Sequence, residues 1–425
     1  MTPDPPSSRR AWLVVVLLWA VVCSNFITRF MLVTMHGSIL KSFPMTEAEF
    51  GLLTAVFLWA YGLLSPFAGF VADRFSRSRV IVASLCAWSA ITWLTSFARS
   101  FEQLLVLRAL VGVSEACYLP AALALIADYH RGPTRSLATG VHQTGIVAGS
   151  IVGSLGGWLA EQRSWHYAFS LVGLAGLCYG ALLLFVLRDA PRDGHLETPG
   201  AEARPRVRFG EALVSLFKQG SFVLVLIYWA MLGIAGWTVS AWMPVFFQER
   251  FHLGQGAAGV TANGYTALAA LPGMLIGGIW ADRWSRTNGR GRMLVPAIGL
   301  LIGAPCLLLT ARSGLIGLAV IGLIFYRLFG CFSESNMMPI LCEIVDRRYR
   351  ATGYGLLNMT GTIAAGAGIY AAGALRDRRF GMSMVFEAVA AIMMLCVPLL
   401  LLMRPRTSAT PVAVEALAGG RSVGG

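Results

Sequence analysis

The sequence predicts an all-α membrane protein whose twelve transmembrane helices form two related six-helix bundles. Three observations carry this prediction: the apolar composition, twelve long apolar runs and a charge pattern that occurs twice. The chain has 425 residues, of which 56% are hydrophobic and 13% charged, and its mean hydropathy is +0.66. Since soluble domains contain about 25% charged residues, the composition excludes an ordinary soluble protein.

Twelve runs are long enough to cross a bilayer, which requires about 20 mainly apolar residues each. The sequence lacks the alternating segments of about ten residues that a membrane β-barrel requires. The first run exceeds the core of a signal peptide and has no small-residue cleavage site, so we interpret it as an uncleaved span. The predicted spans are 11–35, 50–72, 79–98, 102–128, 136–160, 165–187, 221–247, 256–281, 292–311, 314–344, 351–374 and 381–403.

The longest polar connection divides the spans into two halves. We predict an N-terminal six-helix bundle at 1–187, a cytoplasmic linker at 188–220 with a short helix near Phe209–Phe217, and a C-terminal bundle at 221–403. The small, polar tail at 404–425 is predicted to be disordered. Most of the 34 lysines and arginines fall on the face of the N-terminus, which predicts cytoplasmic termini. The net charge of +13 therefore reflects topology and lipid contact, and we predict no nucleic-acid partner.

Charged residues inside the predicted spans occur as two matching sets. An ionised side chain at membrane depth costs several kcal/mol, so such residues usually face a polar cavity and serve function. A duplicated, parallel arrangement of helices is typical of secondary transporters. The sequence therefore predicts solute transport through a cavity between the two halves. The sets, offset by 219 residues, are Arg108, Glu115 and Pro120, and Arg327, Glu334 and Pro339.

A second repeat consists of two loops with the pattern G-x-x-x-D-R-x-x-R, beginning at Gly69 and Gly278. These loops resemble the signature of the major facilitator superfamily, and residues 51–79 and 108–129 resemble its spinster and anion:cation symporter branches. The resemblance implies alternating access, with loop charges that latch the cytoplasmic gate. Those charges are Asp73, Arg74 and Arg77 in the first loop and Asp282, Arg283 and Arg286 in the second.

Arg108 and Glu115 lie seven residues apart, which places them on one helix face about 10.5 Å apart along the axis. We expect them to be too distant to neutralise each other, so that an anion binds near Arg108 while Glu115 exchanges a proton. The resemblance to the symporter branch implies the same two roles. Arg327 and Glu334 repeat this spacing and are predicted to form a second pole of the cavity. The structural alternative is an ion network that only packs helices.

Further candidate substrate-binding residues lie in several spans. Members of the two branches commonly carry Asp-Arg in the first helix, where this chain has Thr28-Arg29, so the aspartate of their proton relay is missing. Snorkelling of Arg29 and simple packing of the other side chains are the alternatives. The candidates are Arg29, His142, Gln143, Asn336, Asn358, Tyr61 and Trp237.

These charges favour an organic anion. The three intramembrane arginines outnumber the two glutamates, which leaves a positive charge, and the planar fork of an arginine matches the geometry of a carboxylate. We predict proton-coupled uptake of an organic acid anion, such as a sugar acid, by a monomer in the bacterial inner membrane. The alternatives are a spinster-like exporter of a lysolipid or amphiphile and a non-transporting sensor or binding protein. No catalytic or metal motif occurs and none of the eight cysteines forms a CxxC pair. We therefore predict no enzyme activity, cofactor or metal site.

Overall fold

A computed structural model describes residues 8–130, 134–190, 209–346 and 348–404, and every regular element in them is helical. The helices are α1 (Ser8–Thr34), α2 (His36–Ser42), α3 (Glu47–Arg74), α4 (Arg77–Thr95), α5 (Phe101–Glu115), α6 (Tyr118–Tyr129), α7 (Arg135–Ser154), α8 (Gly156–Gln162), α9 (Trp165–Val186), α10 (Phe209–Phe217), α11 (Gly220–Phe251), α12 (Gln255–Gly259), a π-helical turn (Val260–Gly264), α13 (Tyr265–Ser285), α14 (Gly291–Arg312), α15 (Ile316–Ile344), α16 (Arg350–Asp377) and α17 (Met382–Leu402).

All twelve predicted spans coincide with helical segments, and the all-α fold is confirmed. Ten helical segments in the described ranges are long and apolar enough to cross a membrane. The other two predicted spans, α7 with α8 and α16, are the more polar ones. Both pack between the halves, α7 and α8 near the π-helical turn and α12, and α16 against α3. A helix in contact with protein on several sides needs less apolar surface than one that faces lipid.

Helix packing repeats between the halves. In the N-terminal half α1 packs on α7, α4 on α9 and α3 on α5; the corresponding pairs in the C-terminal half are α11 with α16, α14 with α17 and α13 with α15. This correspondence is the parallel repeat expected from the sequence. The short helix expected near Phe209–Phe217 is present as α10. Much of the predicted linker, 191–208, and the predicted disordered tail from 405 lie outside the described residues.

The fourth predicted span is two helices rather than one. α5 ends at Glu115 and α6 begins at Tyr118. Pro120 lies in the first turn of α6, where its missing N–H leaves the carbonyl of Ala116 without an intrahelical donor. This break follows directly after Glu115, so it fixes the position of that carboxylate at a helix end.

Glycines of α7 bring this helix against α1. A Cβ atom at Gly153 would lie 2.9 Å from the backbone oxygen of Ile27 and 3.0 Å from Cβ of Phe30. Small residues at four-residue spacing allow such close approach of membrane helices. The α1–α7 contact positions Arg29, which lies between these two residues of α1.

We expect Gly153→Val to lower the free energy of unfolding by about 1–3 kcal/mol, because the side chain must push α1 away from α7. The measurement is thermal unfolding of the detergent-solubilised protein. Gly140→Val is the matched control in the same helix, since no described atom lies within 4 Å of a Cβ at that position. Equal unfolding temperatures for the two variants would contradict this account of the contact.

Candidate functional site

A cavity of about 460 Å³ lies between the two halves. Each half contributes one wall, and each wall combines a charged group with large apolar side chains. The N-terminal wall includes Phe26, Arg29, Phe30, Tyr61, Ile146 and Ser150, and the C-terminal wall includes Trp229, Trp237, Arg327, Glu334, Met337 and Asn358.

Arg29 is the cationic group of the N-terminal wall. Its Nε and Nη2 atoms both lie 3.0 Å from Oε2 of Glu115, and the hydroxyl of Thr28 donates to Oε1 of the same carboxylate at 3.2 Å. The guanidinium also lies 4.8 Å from the ring centroid of Phe26 and 4.8 Å from that of Tyr61. The carboxylate and the ring faces together hold the arginine at the cavity surface.

Arg108 lies behind this wall instead of in it. It is 2% exposed and Glu115 is 1% exposed, and neither belongs to the cavity lining. The Arg108 guanidinium lies 5.0 Å from the ring centroid of Phe57, and its Nε has no hydrogen-bond partner within the described part of the chain. Arg29 is therefore the cation of the N-terminal wall that lines the cavity, with Arg108 behind it, and binding of an anion near Arg108 stays a prediction.

Arg327 and Glu334 form the charged group of the C-terminal wall. Arg327 donates to both carboxylate oxygens, with Nη2 at 3.1 Å from Oε2 and Nη1 bonded to Oε1. The expectation that seven-residue spacing keeps such a pair apart is wrong here, because two long side chains leaning toward each other span two helical turns. Their side chains are 28% and 37% exposed, so this ion pair is accessible from the cavity.

The remaining candidates separate into two groups. Tyr61, Trp237 and Asn358 line the cavity. Asn358 Nδ2 also donates to Ser65 Oγ at 2.9 Å, a hydrogen bond that joins α16 to α3 across the halves.

Three predicted residues do not line the cavity. His142 is buried inside the N-terminal half with Nε2 3.0 Å from the Tyr118 hydroxyl. Asn336 is buried and donates to the backbone oxygens of Phe332 at 2.9 Å and Gly277 at 3.3 Å. Gln143 is exposed outside the cavity lining. We therefore leave these three out of the proposed binding site.

The cavity-lining residues that sequence reasoning missed are mostly apolar, including Phe26, Trp229 and Met337. Apolar residues of the same types also form the buried core of the described residues. Only helix rotation within the bundle distinguishes a wall residue from a packing residue.

Two of the loop-motif charges, Arg77 and Asp282, form ion pairs within their own half. Arg77 pairs with Asp128 and donates to the backbone oxygen of Ala124 at 3.2 Å. Asp282 pairs with Arg292 at 3.1 Å, and Arg292 also contacts Glu343 at 3.2 Å. Arg74, Arg283 and Arg286 are exposed, and the side chain of Asp73 lies outside the described part. Their role as a latch remains a prediction.

Two carboxylates tie the halves together at the far face, by which we mean the helix ends opposite the N-terminus of α1. Asp377 of the C-terminal half accepts the backbone N–H groups of Glu47 and Ala48, both at 2.9 Å, at the start of α3. Glu161 of the N-terminal half accepts those of Gln255 and of Gly256, the latter at 3.1 Å, at the start of α12. Each half thus caps a helix of the other half, and we call these contacts the crossed caps.

Side chains reinforce the crossed caps. The Gln255 amide accepts the Ser38 N–H at 2.9 Å and donates to Ser38 Oγ at 2.8 Å. Arg376 bridges Glu47, at 2.9 Å, and Glu249. The far face is therefore closed by direct polar contacts in this structure.

Comparison with known proteins places the chain among transporters. The family profile described as Major Facilitator Superfamily matches residues 18–368, with a second match at 265–422. The chain is 28% identical over 321 residues to protein spinster homolog 1 of Xenopus laevis, covering 72% of this chain and 60% of that protein. It is 28% identical over 365 residues to the sphingosine-1-phosphate transporter SPNS2 of Mus musculus, covering 81% and 66%. The chain thus spans about three fifths of the length of the first of these relatives.

Solved structures agree with this placement at the level of fold. A bacterial homolog of the human lysosomal transporter spinster, in an inward-facing and occupied conformation, has a TM-score of 0.79 at 20% identity and covers 92% of this chain and 96% of its own. The nucleoside transporter NupG has a TM-score of 0.73 at 13% identity and covers 92% and 99%.

Proposed function

This chain belongs to the Major Facilitator Superfamily and is a membrane transporter of that type, and on this premise we propose that it carries an amphiphilic organic anion by alternating access. The family had been predicted from the two loop motifs, and that prediction is confirmed. The observation that carries the proposal is the cavity itself, which combines arginines on both walls with large apolar side chains.

The charges of the cavity favour an anion. Arg29 and Arg108 share one carboxylate, Glu115, so the charged cluster formed by Arg29 and the two residues behind it has one positive charge in excess when Glu115 is ionised. The C-terminal pair of Arg327 and Glu334 is neutral as a unit. An anionic headgroup in the cavity that both Arg29 and Arg327 line compensates the excess charge in surroundings where water competes weakly.

The apolar surfaces favour a substrate with a hydrocarbon tail. Phe26, Phe30, Trp229 and Met393 line the same cavity as the two arginines. A sugar acid would leave these surfaces in contact with hydroxyl groups. An acyl chain would bury them, and each Å² of buried apolar surface stabilises the complex by about 25 cal/mol. The relative named as a sphingosine-1-phosphate transporter carries a substrate of this chemical class.

A small organic acid anion remains the second candidate. The Arg327–Glu334 pair supports it, because any carboxylate, with or without a hydrocarbon tail, can replace Glu334 in the arginine fork. We further propose that the transporter acts as a monomer in a bacterial inner membrane, with both termini cytoplasmic and the two six-helix halves rocking about the cavity. Glu115 and Glu334 are the proposed proton-coupling groups.

The test is transport in proteoliposomes of the purified protein. We expect the protein to accelerate the movement of palmitoyl lysophosphatidate between leaflets, measured by extraction with albumin, and to leave gluconate uptake at the level of empty vesicles. Gluconate uptake without lysophosphatidate movement would replace the first candidate by the second. Binding of either ligand, with neither ligand moved across the membrane, would instead favour a sensor.

Glu115→Gln is expected to separate substrate exchange from proton coupling. The glutamine keeps the size and one acceptor of the carboxylate but cannot take up a proton, so exchange of substrate should persist while accumulation driven by an inward proton gradient is lost. Uptake of labelled substrate with and without the gradient measures both. Glu387→Gln is the matched control. Glu387 lies outside the cavity lining and forms an ion pair with Arg312, with 2.8 Å between Oε1 and Nε. Accumulation that is insensitive to the gradient in the unmodified protein would refute proton coupling.

A further inference from the structure

A small polar side pocket opens from the C-terminal wall of the cavity. Its volume is about 10 Å³, and it shares Gly236, Ser240, Tyr326 and Arg327 with the main cavity. Asn263 and Thr266 complete its polar lining. A space of this volume holds a group about the size of one water molecule. The side pocket therefore has room for a single oxygen atom of a larger ligand in the cavity.

Asn263 brings an unused hydrogen-bond donor to the side pocket. The residue is 2% exposed, and its Nδ2 has no hydrogen-bond partner among the residues that the structure describes. Buried polar groups are nearly always hydrogen-bonded, because an unpaired donor loses its water without compensation. An unpaired amide against a cavity wall therefore indicates a group that the cavity receives.

The backbone around Asn263 is specialised. The residue lies in the π-helical turn Val260–Gly264, between α12 and α13. Such turns occur frequently at functional sites, because one extra residue in the turn changes where side chains point. The loop repeat, which aligns Gly278 with Gly69, aligns Asn263 with Thr54 in the regular helix α3. The same position of the repeated fold is thus a regular helix in one half and a π-helical turn in the other, so the fold alone does not require the π-helical turn.

The hydrogen-bonding capacity of the side pocket selects for an acceptor. Ser240 Oγ already donates to the backbone oxygen of Gly236 at 2.9 Å. Thr266 Oγ1 already donates to a backbone oxygen of the π-helical turn, that of Ala262, at 2.9 Å. The Asn263 amide is left as a buried donor without a partner in the described part of the chain, and Tyr326 and Arg327 line the same space. Amide N–H groups beside a cation match an anionic oxygen.

We propose that the side pocket is the headgroup subsite of the transporter, in which Asn263 Nδ2 donates to one anionic oxygen of a substrate phosphate or carboxylate. Arg327 binds a second oxygen of the same headgroup when the headgroup replaces Glu334 in its fork. The inference rests on the proposed function, because it names the residue that distinguishes an anionic amphiphile from its neutral counterpart.

The test measures binding to the full-length, detergent-solubilised protein. Trp229 and Trp237 line the main cavity, so a change in tryptophan fluorescence on addition of ligand reports on its occupancy. The ligands are palmitoyl lysophosphatidate, palmitate and 1-palmitoylglycerol, which carry a phosphate, a carboxylate and no charge. The variants are Asn263→Asp, which keeps the shape and reverses the hydrogen-bonding character, and Asn263→Ala. Thr54→Val is the matched control, since it removes a buried hydroxyl that is unpaired within the described part of the chain, at the corresponding register of the other half.

We expect both Asn263 variants to weaken binding of the anionic substrate roughly ten-fold or more, the aspartate most, and to change binding of 1-palmitoylglycerol less than two-fold. Whichever of lysophosphatidate and palmitate shows the larger change identifies the headgroup as phosphate or carboxylate. Thr54→Val should bind all three ligands like the unmodified protein.

Two results would contradict the proposed headgroup subsite and leave the proposed function unaffected. Unchanged anion binding in both Asn263 variants would mean that the space holds only water, and equal weakening of charged and neutral ligands would mean that Asn263 only supports packing. If the unmodified protein binds no anion at all, the proposed function fails and this inference fails with it. Thermal unfolding identifies any misfolded variant. If Asn263→Asp does not fold, the binding result for Asn263→Ala tests the proposal.

Discussion

Arg29→Ala is expected to reduce transport of the anionic substrate by roughly 100-fold or more. The substitution removes the cavity-facing cation of the N-terminal wall, and charge-assisted hydrogen bonds to such a group contribute about 1.5–3 kcal/mol each. It also removes two contacts of 3.0 Å to the buried carboxylate of Glu115. Breaking a buried ion pair costs about 3–5 kcal/mol when one charge is left uncompensated; here Arg108 still faces Glu115, so we expect a smaller loss of stability. Both substrate affinity and protein stability should therefore fall.

Two measurements separate these effects. Transport is measured in proteoliposomes and stability by thermal unfolding in detergent. Arg29→Lys keeps the charge but not the planar fork, so we expect stability to recover more than transport. Arg312→Ala is the control for loss of an arginine, because the Arg312 side chain is 71% exposed and such pairs contribute little. Full transport by Arg29→Ala would contradict a cavity-facing role for Arg29.

Removing both crossed caps is expected to open the far face. Asp377→Ala combined with Glu161→Ala deletes the acceptors for the first N–H groups of α3 and α12. A helix cap contributes typically about 1 kcal/mol, and up to about 2. Losing two caps that exist only while the halves touch therefore shifts the equilibrium toward separation by roughly 30- to 1000-fold. The negative carboxylates also favour the positive ends of both helices, so neutral replacements lose that attraction.

Distances between spin labels at Arg163 and Arg250 measure this opening. These exposed residues lie at the far face, one in each half, and the eight native cysteines are replaced beforehand. We expect the double variant to show a longer distance as a major population. Asp377→Asn with Glu161→Gln keeps the acceptors without the charge, so a smaller shift is expected. Glu387→Ala, which removes an ion pair inside one half, should leave the distance unchanged. A double variant with the distances of the unmodified protein would show that other contacts close the far face.

The crossed caps also show why closure of the far face depends on contact between the two halves. Asp377 and Glu47 are separated by 330 residues in the chain. Neither cap can form within an isolated half, because each joins a carboxylate of one half to a helix start of the other. Separation of the halves exposes four backbone N–H groups at once, so both caps are expected to break together.

The sequence alone determined the class of protein, the approximate positions of all twelve spans, the parallel repeat and the charged residues worth examining. Those features depend on composition and on spacing along one helix, which local sequence records. Tyr61, Trp237, Asn358, Arg29, Arg327 and Glu334 were candidates from sequence and do line the cavity.

Only the tertiary structure decided which charge faces the cavity and which supports it. Helical periodicity shows that Arg108 and Glu115 share a face, but the rotation of that helix in the bundle depends on its neighbours. The ring of Phe57 and the carboxylate of Glu115 placed Arg108 behind Arg29. The π-helical turn at Asn263 and the crossed caps likewise depend on contacts between distant segments. Such contacts form only when the two halves pack together, and no local pattern in the sequence encodes them.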